Sequence, residues 1–208
     1  MQLSKILQKM SELKNHLLKA LPKTGNTRFI AVDGHGGSGK SMLAAMLAKQ
    51  FNAEIIHTDD FAGWDNPIDW WPLVIERVFE PIKRGDKLLN YPRSKWWATH
   101  QPESVVNQSV TPIMILEGVT ALRQEFRPYI SYGIFVDTPK AICLQRGFER
   151  DKGTDGKPDA EIKAMWEKWF ADEEEYIARD NPRDFADLVV DGTKPFEPRI
   201  EEIASAVS

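Results

Sequence analysis

Cysteine is almost missing from this 208-residue sequence: Cys143 stands alone, which excludes an internal disulfide and a zinc site built on cysteine pairs. The chain also lacks an uninterrupted apolar run of about 18 residues, the length a membrane-spanning helix needs. Lys5, Lys9, Glu12, Lys14 and Lys19 interrupt its opening stretch, so the continuous apolar segment of a secretion signal is absent. A basic excess is absent too. Against 31 Asp and Glu stand 27 Lys and Arg, a formal charge of −4, and the basic residues are scattered rather than clustered. These gaps leave no electrostatic footprint for nucleic acid. The expectation is a soluble protein of a reducing, cytoplasmic compartment, with neither nucleic acid nor membrane as partner.

What is present is a 42% apolar chain of a length that suits one domain. Leu3, Ile6, Leu7, Met10, Leu13, Leu17 and Leu18 recur at spacings of three and four, predicting an amphipathic helix within residues 1–22 that could pack on its own domain or on a second subunit. Pro22 and Gly25 stop it. Short apolar runs then end on polar residues: Phe29 to Val32 before Asp33, Glu54 to Thr58, Ile113 to Leu116 before Glu117, Tyr132 to Val136 before Asp137, and Leu188 to Val190. Helical spacing returns from Ser41 to Phe51, from about Trp70 to Ile82, from Pro139 to about Asp151, through Ile162 to Phe170, and from about Pro198. Such alternation predicts an α/β fold, a three-layer sandwich with a mainly parallel sheet of about five strands and helices on both faces. Ligands of such sheets sit at the carboxyl ends of the strands, where Asp33, Asp59, Glu117 and Asp137 fall.

Between the first strand and the first core helix lies Gly34-His35-Gly36-Gly37-Ser38-Gly39-Lys40-Ser41, the full spacing Gly-x-x-x-x-Gly-Lys-Ser of a phosphate-binding loop, the P-loop. Its glycines let backbone N–H groups turn inward, and the helix that follows adds its positive end. In that reading Lys40 reaches the β- and γ-phosphates of a nucleotide and Ser41 binds Mg²⁺. A glycine-rich turn that meets the pattern by chance is the alternative. His35 belongs to the loop, but reads as a spacer with its side chain in solvent. No Asn-Lys-x-Asp occurs late in the chain, so ATP is expected rather than GTP.

A phosphotransferase needs a carboxylate near the acceptor hydroxyl. Asp59, in Thr58-Asp59-Asp60-Phe61, follows the second strand, and Asp60 is its adjacent rival. Glu117 stands where an acidic group can help hold the metal, or it caps a helix. Asp33 and Asp137 read as structural caps. Arg146 and Arg150, four apart, share one side of a helix ahead of a polar glycine-containing loop at about 150–158. They form either a solvated charged face or a lid that neutralises charge on the transferring group.

Taken in order, the P-loop, Asp59-Asp60-Phe61, Leu116-Glu117-Gly118, Phe135-Val136-Asp137-Thr138, the stretch from Arg146 to Arg150-Asp151, and Phe185-Ala186-Asp187 resemble the uridine kinase family of P-loop kinases, over about residues 28–191. The resemblance implies a small-molecule kinase using ATP and Mg²⁺. It also implies Asp59 as the catalytic carboxylate, Arg146 and Arg150 as lid arginines, Asp65 as the group that holds ribose hydroxyls, and Tyr91 as the ring that packs on a base. One departure is visible: family members that act on nucleosides carry a histidine a few residues beyond that tyrosine, and Ser94-Lys95-Trp96-Trp97 has none. Trp64, Trp70, Trp71, Trp96 and Trp97 crowd the same region, as core or as a stacking surface. A nucleotide-dependent switch without a small-molecule acceptor is the competing functional reading.

Overall fold

The computed structural model describes residues 18–63, 66–94, 104–153 and 156–194. The N-terminal amphipathic helix apart from its last residues, the terminal helix from Pro198, Trp64, Asp65, Trp96 and Trp97 lie outside the described residues.

Runs of apolar residues with no polar alternation form strands buried on both faces, as parallel sheets require. They are β1 (Arg28–Asp33), β2 (Glu54–His57), β5 (Ile113–Glu117), β6 (Ile130–Asp137) and β7 (Leu188–Asp191), in the order β2-β5-β1-β6-β7 with every pairing parallel. Successive side chains point to opposite faces, so each strand feeds two cores. Phe29, Ala31, Met114, Leu116 and Phe135 join Val74, Val78, Phe79 and Phe126 on one side, whereas Ile30, Val32, Ile115, Ile134 and Val136 join Leu43, Leu47 and Phe51 of α1 (Lys40–Phe51) on the other. Full burial of one such Leu or Phe contributes about 1.5–3 kcal/mol, so the layers are held mainly by this apolar contact.

The crossover from β1 through α1 passes β5 to reach β2, while β6 lies on the other flank of β1. The chain therefore reverses direction across the sheet beside β1, and the carboxyl ends of β1, β5 and β2 open onto one crevice.

The helix expected from Trp70 to Ile82 is present but broken into α2 (Trp71–Val74), a π-helical turn (Ile75–Phe79) and α3 (Glu80–Arg84). Pro81 removes an N–H and crowds the preceding turn, which the wider π turn accommodates. Two strands absent from the sequence expectation, β3 (Leu88–Pro92) and β4 (Val105–Ser109), pair antiparallel as a separate hairpin. Beyond β6, α4 (Lys140–Asp151) and the 22-residue α5 (Asp159–Asp180) flank the polar loop, and the short α6 (Pro182–Phe185) leads into β7. Among the described residues no helix is long and apolar enough to cross a membrane.

Candidate active site

The loop after β1 owes its shape to glycine and to one buried carboxylate. Gly37 adopts φ +77°, and a Cβ there would collide with the Cys143 carbonyl of α4, so no larger residue fits. Asp33 accepts the Gly34 N–H at 2.6 Å on Oδ1, with the Leu122 N–H at 2.7 Å and the Tyr176 hydroxyl at 2.6 Å on Oδ2. It is a structural anchor, as the sequence reading had it. Burial is the largest influence on this carboxyl and raises it to about 6, with its three hydrogen bonds and the Lys40 charge opposing.

A carboxyl raised in the fold contributes stability that is fully present below its unfolded value of 3.8 and is lost as pH climbs through about 6. Asn at this position does not titrate. Asp33→Asn should therefore destabilise the protein most near pH 4, with the deficit shrinking by up to about 3 kcal/mol toward pH 7. Urea denaturation of both proteins at the two pH values checks this; a deficit that grows with pH would contradict it.

Within the loop, Ser38 N–H donates to the His35 carbonyl at 3.0 Å, the Lys40 ammonium to the same carbonyl at 3.3 Å, and the Thr138 hydroxyl to the Ser38 carbonyl at 3.1 Å. Lys40 and Ser41 open α1, so the first-turn amides of that helix end at the loop.

Strand register assembles the next part. Glu117 pairs with Val32 on one side and with His57 on the other, so three strand ends converge there. Glu117 Oε1 accepts the Ser41 hydroxyl at 2.9 Å, and Oε2 lies 2.7 Å from His57 Nδ1. Burial raises the Glu117 carboxyl, but the His57 hydrogen bond, the charges of Lys40 and His57 and the Ser41 hydroxyl outweigh it and hold the group below its ordinary value. The same hydrogen bond to Glu117 raises His57. The Ser41 hydroxyl beside the Glu117 carboxylate is a pair of hard oxygen donors, the kind Mg²⁺ takes alongside substrate phosphates, so these residues fit the ion. Among the described residues there is no cluster of three or more His, Cys, Asp or Glu that could hold a metal ion. His57 was missed by sequence reasoning; its one signal was its place at a strand end.

The two adjacent aspartates part at a 3₁₀ turn (Thr58–Asp60). Asp60 points inward, is buried, and binds the Arg93 guanidinium at 2.9 Å from Nε to Oδ1. Asp59 points outward and keeps an exposed surface, although protein crowds it on its other sides. That crowding raises its carboxyl, Lys40 lowers it, Glu117 raises it, and His57 and Arg150 lower it, while contact with solvent tempers the whole shift. The groups expected to surround a phosphoryl transfer thus act electrostatically on one another.

The arginines of α4 do not act as a pair. Arg146 Nη1 donates to the Gly192 carbonyl just beyond β7 at 3.0 Å, whereas Arg150 grips Asp151 at 2.7 and 3.1 Å. Of the loop between α4 and α5, Thr154 and Asp155 lie outside the described residues. Tyr91 is 1% exposed and stacks on Phe61 at 4.9 Å, so its ring belongs to the core; its buried hydroxyl is beside Asp60 without a well-formed hydrogen bond. Trp70 is core as well, with its indole N–H on the Pro67 carbonyl at 2.9 Å.

The expectation that His35 points to solvent is overturned. Its ring is mostly buried on Phe170 and between Glu173 and Glu174 of α5, because those acidic residues, distant in sequence, line the helix face that packs on the loop.

No family model matches the sequence. A uridine kinase of Schizosaccharomyces pombe is 25% identical over 190 residues, covering 81% of this chain and 41% of that protein. A uridine kinase of Escherichia coli is 24% identical over 168 residues, covering 67% of this chain and 75% of that protein. The chain therefore spans less than half the length of the yeast relative. In fold it resembles a solved protein of Bacillus stearothermophilus described as a possible uridine kinase, with a TM-score of 0.60 over 91% of this chain and 99% of that one at 19% identity. With the phosphate loop seated at the carboxyl edge of a parallel sheet, the chain has the fold of the P-loop kinases, and in sequence it is similar to uridine kinases.

Proposed function

We propose that this protein is an ATP-dependent kinase that transfers the γ-phosphate to a hydroxyl of a nucleoside-like or other small metabolite, with residues 28–191 as the kinase core and the loop at about 150–158 as its lid. The observation that carries this reading is the placement of Asp59: an outward-facing carboxylate at the end of β2, under the influence of Lys40, Glu117 and Arg150.

The triphosphate lies on the backbone N–H groups of Gly34 to Ser41, and Lys40 places its charge against the β- and γ-phosphates. Ser41 would hold Mg²⁺ with help from Glu117, and the ion would supply neutralisation of phosphate charge. Asp59 orients the acceptor hydroxyl and takes its proton as the oxygen attacks the γ-phosphorus and ADP leaves. Asp60 is unsuited to that role, being committed to Arg93. Closure of the lid brings Arg150, and Arg146 once it leaves the Gly192 carbonyl, toward the charge that develops on the transferring group. Most of the rate enhancement is positioning and charge neutralisation.

The absence of a histidine after Tyr91 and the burial of the Tyr91 ring support an acceptor other than uridine. Asp65, outside the described residues, is the candidate for holding acceptor hydroxyls. An ADP-release assay across nucleosides, pantothenate-like alcohols and sugar phosphates tests the reading. One acceptor class should accelerate ADP release at least tenfold over the acceptor-free rate, and a rate indifferent to every class would count against it.

A further inference from the structure

Helix α5 touches the phosphate loop through groups that the kinase reading leaves without a task. The His35 ring lies flat on Phe170, with centroids 4.0 Å apart and planes at 16°. Its Nδ1 is 2.8 Å from Glu173 Oε2, and its Nε2 is 2.9 Å from Glu174 Oε1. Glu173 is buried, and its carboxylate also accepts the Gly36 N–H, at 3.1 and 3.3 Å. Trp166, one helical face along, fills the space above Gly36, where a Cβ would press on its ring.

A carboxylate only accepts hydrogen bonds, so the imidazole completes both contacts only with a hydrogen on each nitrogen, the cationic form. Without that cation, two carboxylates would stand directly against the second and third residues of a loop whose ligand carries several negative charges. Like charges close together at a partly buried site repel one another more strongly than in water. A chain could avoid the problem with neutral residues on α5. This one keeps the acids, one of which holds the loop backbone, and sets a histidine between them.

We propose that His35 is a positioning residue for the nucleotide: as an imidazolium between Glu173 and Glu174 it fastens the phosphate loop to α5 and offsets one of the two negative charges which that helix would otherwise present to the phosphates of ATP. The proposal rests on Gly34 to Ser41 as the phosphate site, and adds the electrostatic device that makes an acidic wall compatible with it.

Calorimetric titration of the full chain with ATP and Mg²⁺ tests the device, with steady-state kinetics alongside. H35A should weaken ATP binding about tenfold or more, while kcat at saturating ATP changes by less than about threefold. H35Q, which keeps one donor but no charge, should bind as weakly as H35A, and it carries the comparison should the alanine variant fold poorly. E174Q alone, which removes the negative charge left over, should bind ATP as tightly as wild type or tighter, and in the H35A background it should restore most of the lost affinity, the response of a charge effect rather than a packing effect. Wild-type affinity in H35Q, or no recovery in the H35A/E174Q pair, would overturn the proposal. Lys40→Ala separates the two levels: if it keeps both the ATP affinity and the turnover of wild type, the phosphate-site reading falls and the proposal with it. If Lys40→Ala loses binding or turnover while the His35 variants keep wild-type affinity, the proposal alone falls.

Discussion

Replacing Lys40 with alanine should lower kcat/KM for ATP by about a thousandfold, equivalent to roughly 4 kcal/mol of transition-state stabilisation, with most of the loss in kcat. The size follows from where the ammonium sits. Lys40 is nearly buried at the start of α1, its Nζ on the His35 carbonyl, so it needs little movement to reach a phosphate at the loop. It is also the cation that most strongly lowers the Asp59 carboxyl, so its removal weakens two parts of the transfer at once. The fold should survive, since the loop keeps its Ser38 to His35 and Thr138 to Ser38 hydrogen bonds, and circular dichroism will show whether it does. A variant with wild-type turnover would remove the loop from catalysis.

Asp59→Asn should leave ATP affinity within a few-fold of wild type while kcat drops by about a hundred- to ten-thousandfold, the usual contribution of a positioned acid or base. Because Asp59 is exposed at the cleft, the substitution should cost little stability. The pH profile carries a second signature. A base must be ionised to act, and crowding raises this carboxyl, so wild-type kcat/KM should fall on the acid side at a pH above that of an ordinary aspartate. The variant should lose that limb. Asp60→Asn, by contrast, should act through its Arg93 ion pair, lowering stability more than kcat.

Much of this fold can be read from residues, because parallel strands buried on both faces leave apolar runs such as Phe29 to Val32 and Ile113 to Leu116, and the phosphate loop falls between a strand and a helix. The β3–β4 hairpin was not legible, since Leu88 to Pro92 contains Asn90 and a proline and β4 is half polar, so neither has the density of a buried strand. Nor was the break in the helix at Ile75–Phe79, which depends on how the chain absorbs Pro81.

At the site, legibility ends where partners are set by register or by distant chain. His57 and Glu117 meet because β2 and β5 pair in one register, which no local pattern encodes. Asp33 meets Tyr176 143 positions away, and His35 meets Glu173 138 positions away. The choice between Asp59 and Asp60 depends on a 3₁₀ turn that aims neighbouring side chains in different directions, one into the core and one out of it.

The most direct measurement follows the γ-phosphate itself. ATP labelled in that group is mixed with the protein, Mg²⁺ and each acceptor class, and the products are separated. The account predicts that the label moves onto an organic acceptor in step with ADP formation, and that Asp59→Asn abolishes the transfer while still binding ATP. Label recovered only as inorganic phosphate, at a rate set by a protein partner and not by any small molecule, would contradict it and make the chain a nucleotide-driven switch.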